Sequence, residues 1–574
     1  MLKKGRVALA STFLMLVAAL VAACGSPGNN PNTPPTTKTT YHYTTPTNKG
    51  GSVIFSDWEF PDSTNPWFNT SVVGVEVAQA LYGGLFTVTP DGKYLPDELA
   101  EMPTQANGDI SKDGLTIRLK LNKDIKWSDG QPITSDDFKY WWTVNEDPAS
   151  GAASTAGFDQ IETIDTPDTH TLVLHYKQIF APFLFYLPNA APKHAWGSIA
   201  NKDLLNTQDV NLTPKVTSGP FMVQDYASGQ SFTLVPNPHY ASTSLHPTVL
   251  DKLVFKGYQS KDALIAGFQA GETDHAEDFT QGDLQKLANV PGLNVTAQAG
   301  YEHIDLNLSK PYLQDVNVRK AIFQGIDRCQ IITSLLQSQC AALSLNDLEP
   351  GLPDANPSVK GFAFSVSAAQ ADMKASGWDC SKAPNSPCTK DGQSFPTLQL
   401  VTTSGNAIRQ NSIQIIQQDL KNVGIPVNID GNLYPAGTLF GDYASGGILA
   451  TGKYDLAEYA AVLGLDSDGN LYAAYHSSQI PSNANPAGSN YQRTSDPKLD
   501  QMLEQGRTTI DPAKRSQIYK DVQEYMIDQQ AYQVPLYIRP NIVLNDNVMG
   551  NYFSNPVSLG NEWNIGDWYR TKSS

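Results

Sequence analysis

Apolar and polar residues alternate at a period of two in LTIRLKLN (115–122) and THTLVLHY (169–176). That spacing predicts strands with one face buried. SVIFSDW (52–58), GPFMVQDY (219–226), SFTLVPN (231–237), LDKLVFKGY (250–258), YEHIDLNLS (301–309) and LQLVTTSG (398–405) read as further strands. Helical spacing appears in VGVEVAQALYGGL (73–85), KDALIAGFQAG (261–271) and VNVRKAIFQGIDRCQIITSLL (316–336). NAIRQNSIQIIQQDLKNVGIPVNID (406–430) predicts a helix that Gly424 ends and a strand that resumes after Pro426. DPKLDQMLEQGR and DPAKRSQIYKDVQEYMIDQ are amphipathic helices, each opened by Asp-Pro. The segment PFLFYLPNAAPKHAW reads as a short helical piece. No internal repeat occurs, which excludes solenoids and propellers. Strands and helices alternate in both halves, so the pattern predicts α/β lobes, with a strand-dominated stretch between them over 87–214.

The amino terminus does not fit this pattern. MLKKGR is basic, and Val7 to Ala23 is an uncharged apolar run. Its length suits a signal-peptide core. It ends in Val21-Ala22-Ala23-Cys24-Gly25, which resembles a bacterial lipobox: cleavage before Cys24 and lipidation of its sulfur. Residues 25–50 are rich in Pro, Thr, Asn and Gly and lack Leu, Ile, Val and Phe. They predict a disordered tether with a span of about 25–30 Å.

At 574 residues the chain exceeds one compact core. A hydrophobic content of 40% and a charged content of 17% suit a soluble globular body. The net charge is −17, and more negative still once Lys3, Lys4 and Arg6 are removed with the leader. Such a surface repels nucleic acid and anionic head groups. The cysteines besides Cys24 fall into two pairs, Cys329 with Cys340 and Cys380 with Cys388, and an exported protein predicts disulfides.

Catalytic and metal motifs are weak. The chain has no G-x-S-x-G elbow and no H-E-x-x-H. Gly447 to Lys453 has P-loop spacing, but Tyr454 stands where Ser or Thr must hold magnesium. Asp466-Ser-Asp468-Gly469 begins like a calcium loop but lacks the later ligands. No cofactor and no metal are expected. The aspartate-rich DIKWSDGQPITSDDFKYWW (124–142) is read as a turn at Asp129-Gly130, then a helix capped by Thr134 and Asp137.

The order of these signals resembles the extracellular solute-binding proteins of the peptide/nickel family, the ligand receptors of ABC importers. LTIRLKLNKDIKWSDGQPITSDDFKYWW resembles that family's signature. ALYGGLFTVTPDGKYLPDELAE, TSGPFMVQDYASGQSFTLVPNPHY, GFQAGETDHA, LNLSKPYLQDVNVRKAIFQGIDR and DPAKRSQIYKDVQEYMIDQQAYQVPLY resemble its other landmarks, in family order. At Gly83-Gly84 the chain departs from it, because the family often carries an acid before Gly-Leu. The resemblance implies a type II periplasmic-binding-protein fold with two α/β lobes, a hinge and an extra β-rich subdomain. Lobe I is expected over 51–86, 215–305 and 535–574, the accessory subdomain over 87–214 and lobe II over 306–534. Hinge crossings are expected near Ala299–Asn307 and Gln530–Tyr537.

It also implies a monomeric, non-enzymatic receptor, lipid-anchored outside the cytoplasm, that passes oligopeptides to permease subunits in the membrane. Oligosaccharides or a nickel chelate are the alternative ligands, a secreted hydrolase the alternative class, and a sensory receptor of the same fold a third. Asp466 takes the place of the family aspartate that holds a peptide's amino terminus. Trp58 and Glu59, at the end of the first strand, face the expected crevice. Tyr301 and His303 sit at the expected hinge, and Tyr459 lies near Asp466. Arg319 is expected to serve the helix structurally.

Overall fold

The structure, a computed structural model, describes residues 40–68, 71–152, 157–546, 548–555 and 561–571. The leader, Cys24 and the tether up to residue 39 lie outside these. Residues 40–50 differ from the expected free tether, because they are laid against the body. Tyr41 donates to Asp567 at 2.9 Å, and Tyr43 stacks on His246 with ring centroids 3.7 Å apart. Asn48 donates to the carbonyls of Arg570 and Thr571. Tyr41 and Tyr43 supply the apolar area that the rest of the segment lacks.

The elements in chain order are β1 (Ser52–Asp57), α1 (Val72–Leu81), β2 (Thr116–Lys120), α2 (Ser135–Asn145), β3 (Ile161–Asp168), β4 (Thr171–Tyr176), β5 (Phe221–Ala227), β6 (Ser231–Pro236), β7 (Lys252–Gly257), β8 (His275–Phe279) and β9 (Leu293–Leu306). They continue with α3 (Val316–Gly325), β10 (Leu398–Thr403), α4 (Ala407–Val423), β11 (Leu456–Val462), α5 (Pro497–Thr508), α6 (Pro512–Glu524) and β12 (Gln533–Asn545), with shorter pieces between. One large sheet runs through the molecule in the order β10-β11-β9-β12-β8-β1-β7-β6-β5. β1 is parallel to both β7 and β8, whereas β9 and β12 are antiparallel. β2, β4 and β3 form a separate antiparallel sheet.

Each region has its own core. Val53, Phe55, Val77, Leu253 and Trp568 share one, and Leu119, Trp127, Phe138, Leu172 and Leu174 share another. Ile304, Ile322, Ile413, Leu420, Val534 and Leu536 belong to a third. Strands β9 and β12 pass between cores. Leu293, Ile542 and Leu544 pack with Leu264, while Tyr301 to Leu306 and Val534 to Tyr537 pack in the third core. The register of the pair breaks between Ala297 and Tyr301. The change of core on β9 thus falls between Val295 and Tyr301, and on β12 between Tyr537 and Ile542.

Two elements differ from the sequence pattern. The helix expected over 316–336 is two, α3 and Arg328–Leu335, with extended backbone at Ile326. Asp327 caps the second by accepting from the Gln330 amide. The strand β11 has no sequence counterpart: its run LAEYAAV is rich in Ala and carries the buried Glu458. The aspartates of 124–142 act as expected. Thr134 and Asp137 form a capping box, and Asp129 accepts from the Gln131 amide across a turn where Gly130 has φ +88°. Both cysteine pairs, Cys329–Cys340 and Cys380–Cys388, are bonded. Gly424, at φ +99°, ends α4 against the second bridge, where a Cβ would lie 2.7 Å from Cys388 Sγ. Among the described residues, no helix is long and apolar enough to cross a membrane.

Candidate functional site

Strand β9 places Tyr301, His303 and Asp305 on one face, because alternate residues of a strand point the same way. β11 lies alongside with Tyr459 opposite His303. Together with the short helical segment over 469–475 and the loop over 489–491 they line a cavity of about 220 Å³ next to the strand crossing. Tyrosines 301, 459, 475 and 491 supply its aromatic walls.

Asp305 organises these walls. It accepts from the Tyr459 hydroxyl, from Gln492 Nε2 at 2.8 Å and from Gln533 Nε2 at 2.9 Å, with His303 Nε2 at 3.5 Å. Burial alone would raise its pKa; His303, Tyr459 and Gln533 outweigh burial and hold it below the ordinary carboxylate range. Gln533 also accepts from the Tyr301 hydroxyl and donates to Tyr475. His303 Nδ1 differs from these groups: it is buried and has no hydrogen-bond partner among the described residues. A buried polar atom of this kind calls for a partner. Ser489 lines the same cavity, but its hydroxyl donates to the Ala473 carbonyl at 2.7 Å.

The cavity brings together Tyr301, His303 and Tyr459 among the residues singled out in the sequence. Asp466, expected to hold a peptide's amino terminus, does not line it. Both Asp466 oxygens accept from Arg515, each at 2.7 Å, and the pair is buried. Burial would lower Arg515, but Asp466 more than offsets this and keeps the guanidinium charged. Asp468 pairs likewise with Arg507 at 2.8 Å, so arginines take the carboxylates of the calcium-like stretch. Trp58 and Glu59 lie across the crossing at the end of β1. Trp58 is half-buried and donates to Asp278, with Lys261 over its ring, and Glu59 is exposed. Arg319 donates to the carbonyls of Leu313, Gln314 and Gln530, the structural role expected of it.

The residues missed were Asp305, Tyr475, Tyr491, Gln492 and Gln533. Asp305 was legible as the third member of the Tyr301, His303, Asp305 alternation. The others come from a short helical turn, a loop and a strand start whose spacing carries no signal.

Residues of the 87–214 stretch touch residues from later in the chain. Val88 and Tyr94 pack with Leu352, Leu463 and Leu465, and Phe180 lies 5.9 Å from the Arg507 guanidinium. The departure at Gly83 also has a local counterpart. A Cβ there would lie 3.1 Å from Glu98 Oε1 and 3.5 Å from Asp97 Oδ2, so the space beside Gly83 already holds two carboxyls. Gly83→Glu is expected to cost about 2 kcal/mol of stability, and Glu98→Gly in the same chain to return part of it. A urea-unfolding double-mutant cycle measures this.

One sheet shared by several cores, with two strands crossing between them and a cavity beside the crossing, fits a two-lobed α/β binding protein of the type II periplasmic kind. The model of the bacterial extracellular solute-binding proteins, family 5 Middle, matches residues 97–482, and the chain belongs to this family. The oligopeptide-binding protein AppA of Bacillus subtilis (strain 168) is 23% identical over 537 residues, covering 91% of this chain and 92% of AppA. The solved structure of AppA with a nonapeptide superposes with a TM-score of 0.67 at 20% identity, covering 91% of this chain and 99% of that one. NikZ of Campylobacter jejuni in complex with Ni(L-His) superposes with a TM-score of 0.70 at 20% identity, covering 90% and 99%.

Proposed function

We propose that the protein is a lipid-anchored, non-enzymatic receptor that encloses an oligopeptide between its lobes and delivers it to an ABC importer. The cavity beside the crossing carries this reading. It has aromatic walls, a fixed carboxylate and one buried nitrogen, His303 Nδ1, without a partner. Such a pocket suits one side chain of an extended ligand. Tyr301, His303 and Tyr459 are the contacts beside the crossing, and Trp58 and Glu59 those at the end of β1. The relative crystallised with a nonapeptide supports a peptide over the other ligands known among these folds. Anchoring rests on the apolar leader that ends at Cys24, which would hold a monomer on the outer face of the membrane. Ser489 is bonded to a carbonyl rather than to His303, which weighs against a hydrolase.

A nickel chelate is the second reading, because NikZ shares the fold and a histidine lines the cavity. His303→Ala separates the cavity from the rest of the crevice. It is expected to weaken peptide binding at least tenfold, or about 1.4 kcal/mol, by calorimetry. Unchanged affinity would remove this cavity from the ligand site.

A further inference from the structure

The first lobe holds a second concentration of charge, away from this cavity. Asp57 at the end of β1 and His275 and Glu277 on β8 meet Glu76 from α1 and Glu562 from the C-terminal segment. All five are buried, with exposures of 1% for Asp57, 0% for His275, 6% for Glu277, 2% for Glu76 and 1% for Glu562. Glu277 accepts from His275 Nε2 and from Asn561 Nδ2, the latter at 2.7 Å. His275 Nδ1 lies 3.4 Å from the Asn545 side-chain amide, which fixes the ring with Nε2 toward the carboxylates. Glu562 faces Glu277, and both of its oxygens are buried without any N–H donor among the described residues. One donor atom each from His275, Glu277 and Glu562 lies within 4.8 Å of the other two.

Four buried carboxyl groups this close together either take up protons or meet a cation, and the convergence of three donor atoms, one of them an imidazole nitrogen, is the geometry of a cation site. Among the described residues, His275 is the one basic side chain ion-paired with any of them. We propose that His275, Glu277 and Glu562 bind a first-row divalent metal ion, with Asp57 and Glu76 adding negative charge around it. The site is too closed for an organic ammonium, since the three donors converge within a few ångströms and none is more than slightly exposed. One imidazole nitrogen with carboxylate oxygens is a donor set for zinc or manganese. Calcium, which takes six to eight oxygens, fits it less well.

Such an ion would tie β8 to the C-terminal segment, one residue from Trp58 in the chain beside Asp57. The inference is independent of the ligand held between the lobes. The sequence hid it, because His275 and Glu277 share a strand face while Glu562 lies far along the chain.

The test uses the chelator-treated, dialysed protein without any affinity tag. Calorimetry with zinc chloride and with manganese chloride measures stoichiometry, and diffraction at the zinc edge locates the ion. One ion per chain is expected, with its anomalous peak bounded by His275, Glu277 and Glu562. Glu562→Gln keeps the side chain's size and is expected to lower metal affinity at least tenfold. Zinc is expected to raise the melting temperature of the wild type and not of this variant. No bound ion, a peak at His303 and Asp305 instead, or a Glu562→Gln variant that binds like the wild type would overturn the proposal. The peak in the wild type decides the matter even if the variant fails to fold.

Discussion

Arg515→Ala is expected to lower the unfolding free energy by about 3–5 kcal/mol, and Asp466→Ala to do the same. The reason is the geometry of the pair. Two charge-assisted hydrogen bonds of 2.7 Å join the side chains, and Asp466 is 6% exposed. Removing either partner leaves a charge in a poorly solvated place. The Tyr519 ring, 5.0 Å from the guanidinium, replaces none of the lost bonds. Replacing both partners together by Leu and Met removes the charge and the partner at once, and should cost far less than either single change. Chemical denaturation of the three variants measures the difference. A single variant as stable as the wild type would mean that the pair is solvated.

The second large effect is a loss of stability as pH rises. Glu98 is fully buried, and both of its oxygens are without a hydrogen-bond partner among the described residues. Burial, and then the charge of Asp97, push it up to about 8. Glu349 is pushed up to about 8 by burial, against the opposing bonds from Ser467 and Asn470. An unfolded glutamate titrates near 4.5, so between about 4.5 and 8 the native state holds protons that the unfolded state has released. Stability is then complete below about pH 4.5 for these groups and falls as pH rises to 8. Each group loses about 1.4 kcal/mol per pH unit inside that window. Asp305, held below the ordinary range, contributes its stability above pH 4 and leaves this slope unchanged. The protein should therefore unfold at lower urea at pH 8 than at pH 5.5. Glu98→Gln should flatten the slope and raise stability at pH 8. Equal midpoints at the two pH values would show that water reaches these carboxyls.

Much of the fold was legible in the chain. Period-two alternation marked the strands of the accessory sheet, and capping residues marked α2, α5 and α6. The breaks came where tertiary contacts overrule local pattern. β11 lies between β10 and β9 near one end of the sheet, with its first three residues buried, and its alanines follow no alternation that spacing could reveal. Gly325 comes close to α4, with a Cβ there 2.9 Å from Val423 Cγ2, and the helix ends at that contact.

The candidate site was half legible. Tyr301 and His303 lie on a strand whose alternation is plain, and Tyr459 sits opposite. For Asp466 the sequence shows the charge of the carboxylate but not its partner. Arg515 lies on another helix, and nothing local announces the pair. Tyr475, on a short helical turn, and Gln492, which bonds Asp305 from a loop, reach the site through chain paths that spacing does not encode.

The central claim is that the two lobes enclose a peptide. Mass spectrometry of small molecules released by denaturing protein purified without refolding tests it most directly. The account predicts peptides, recovered from the wild type and depleted in His303→Ala. Glycans or a metal chelate in their place, with no peptide, would contradict it.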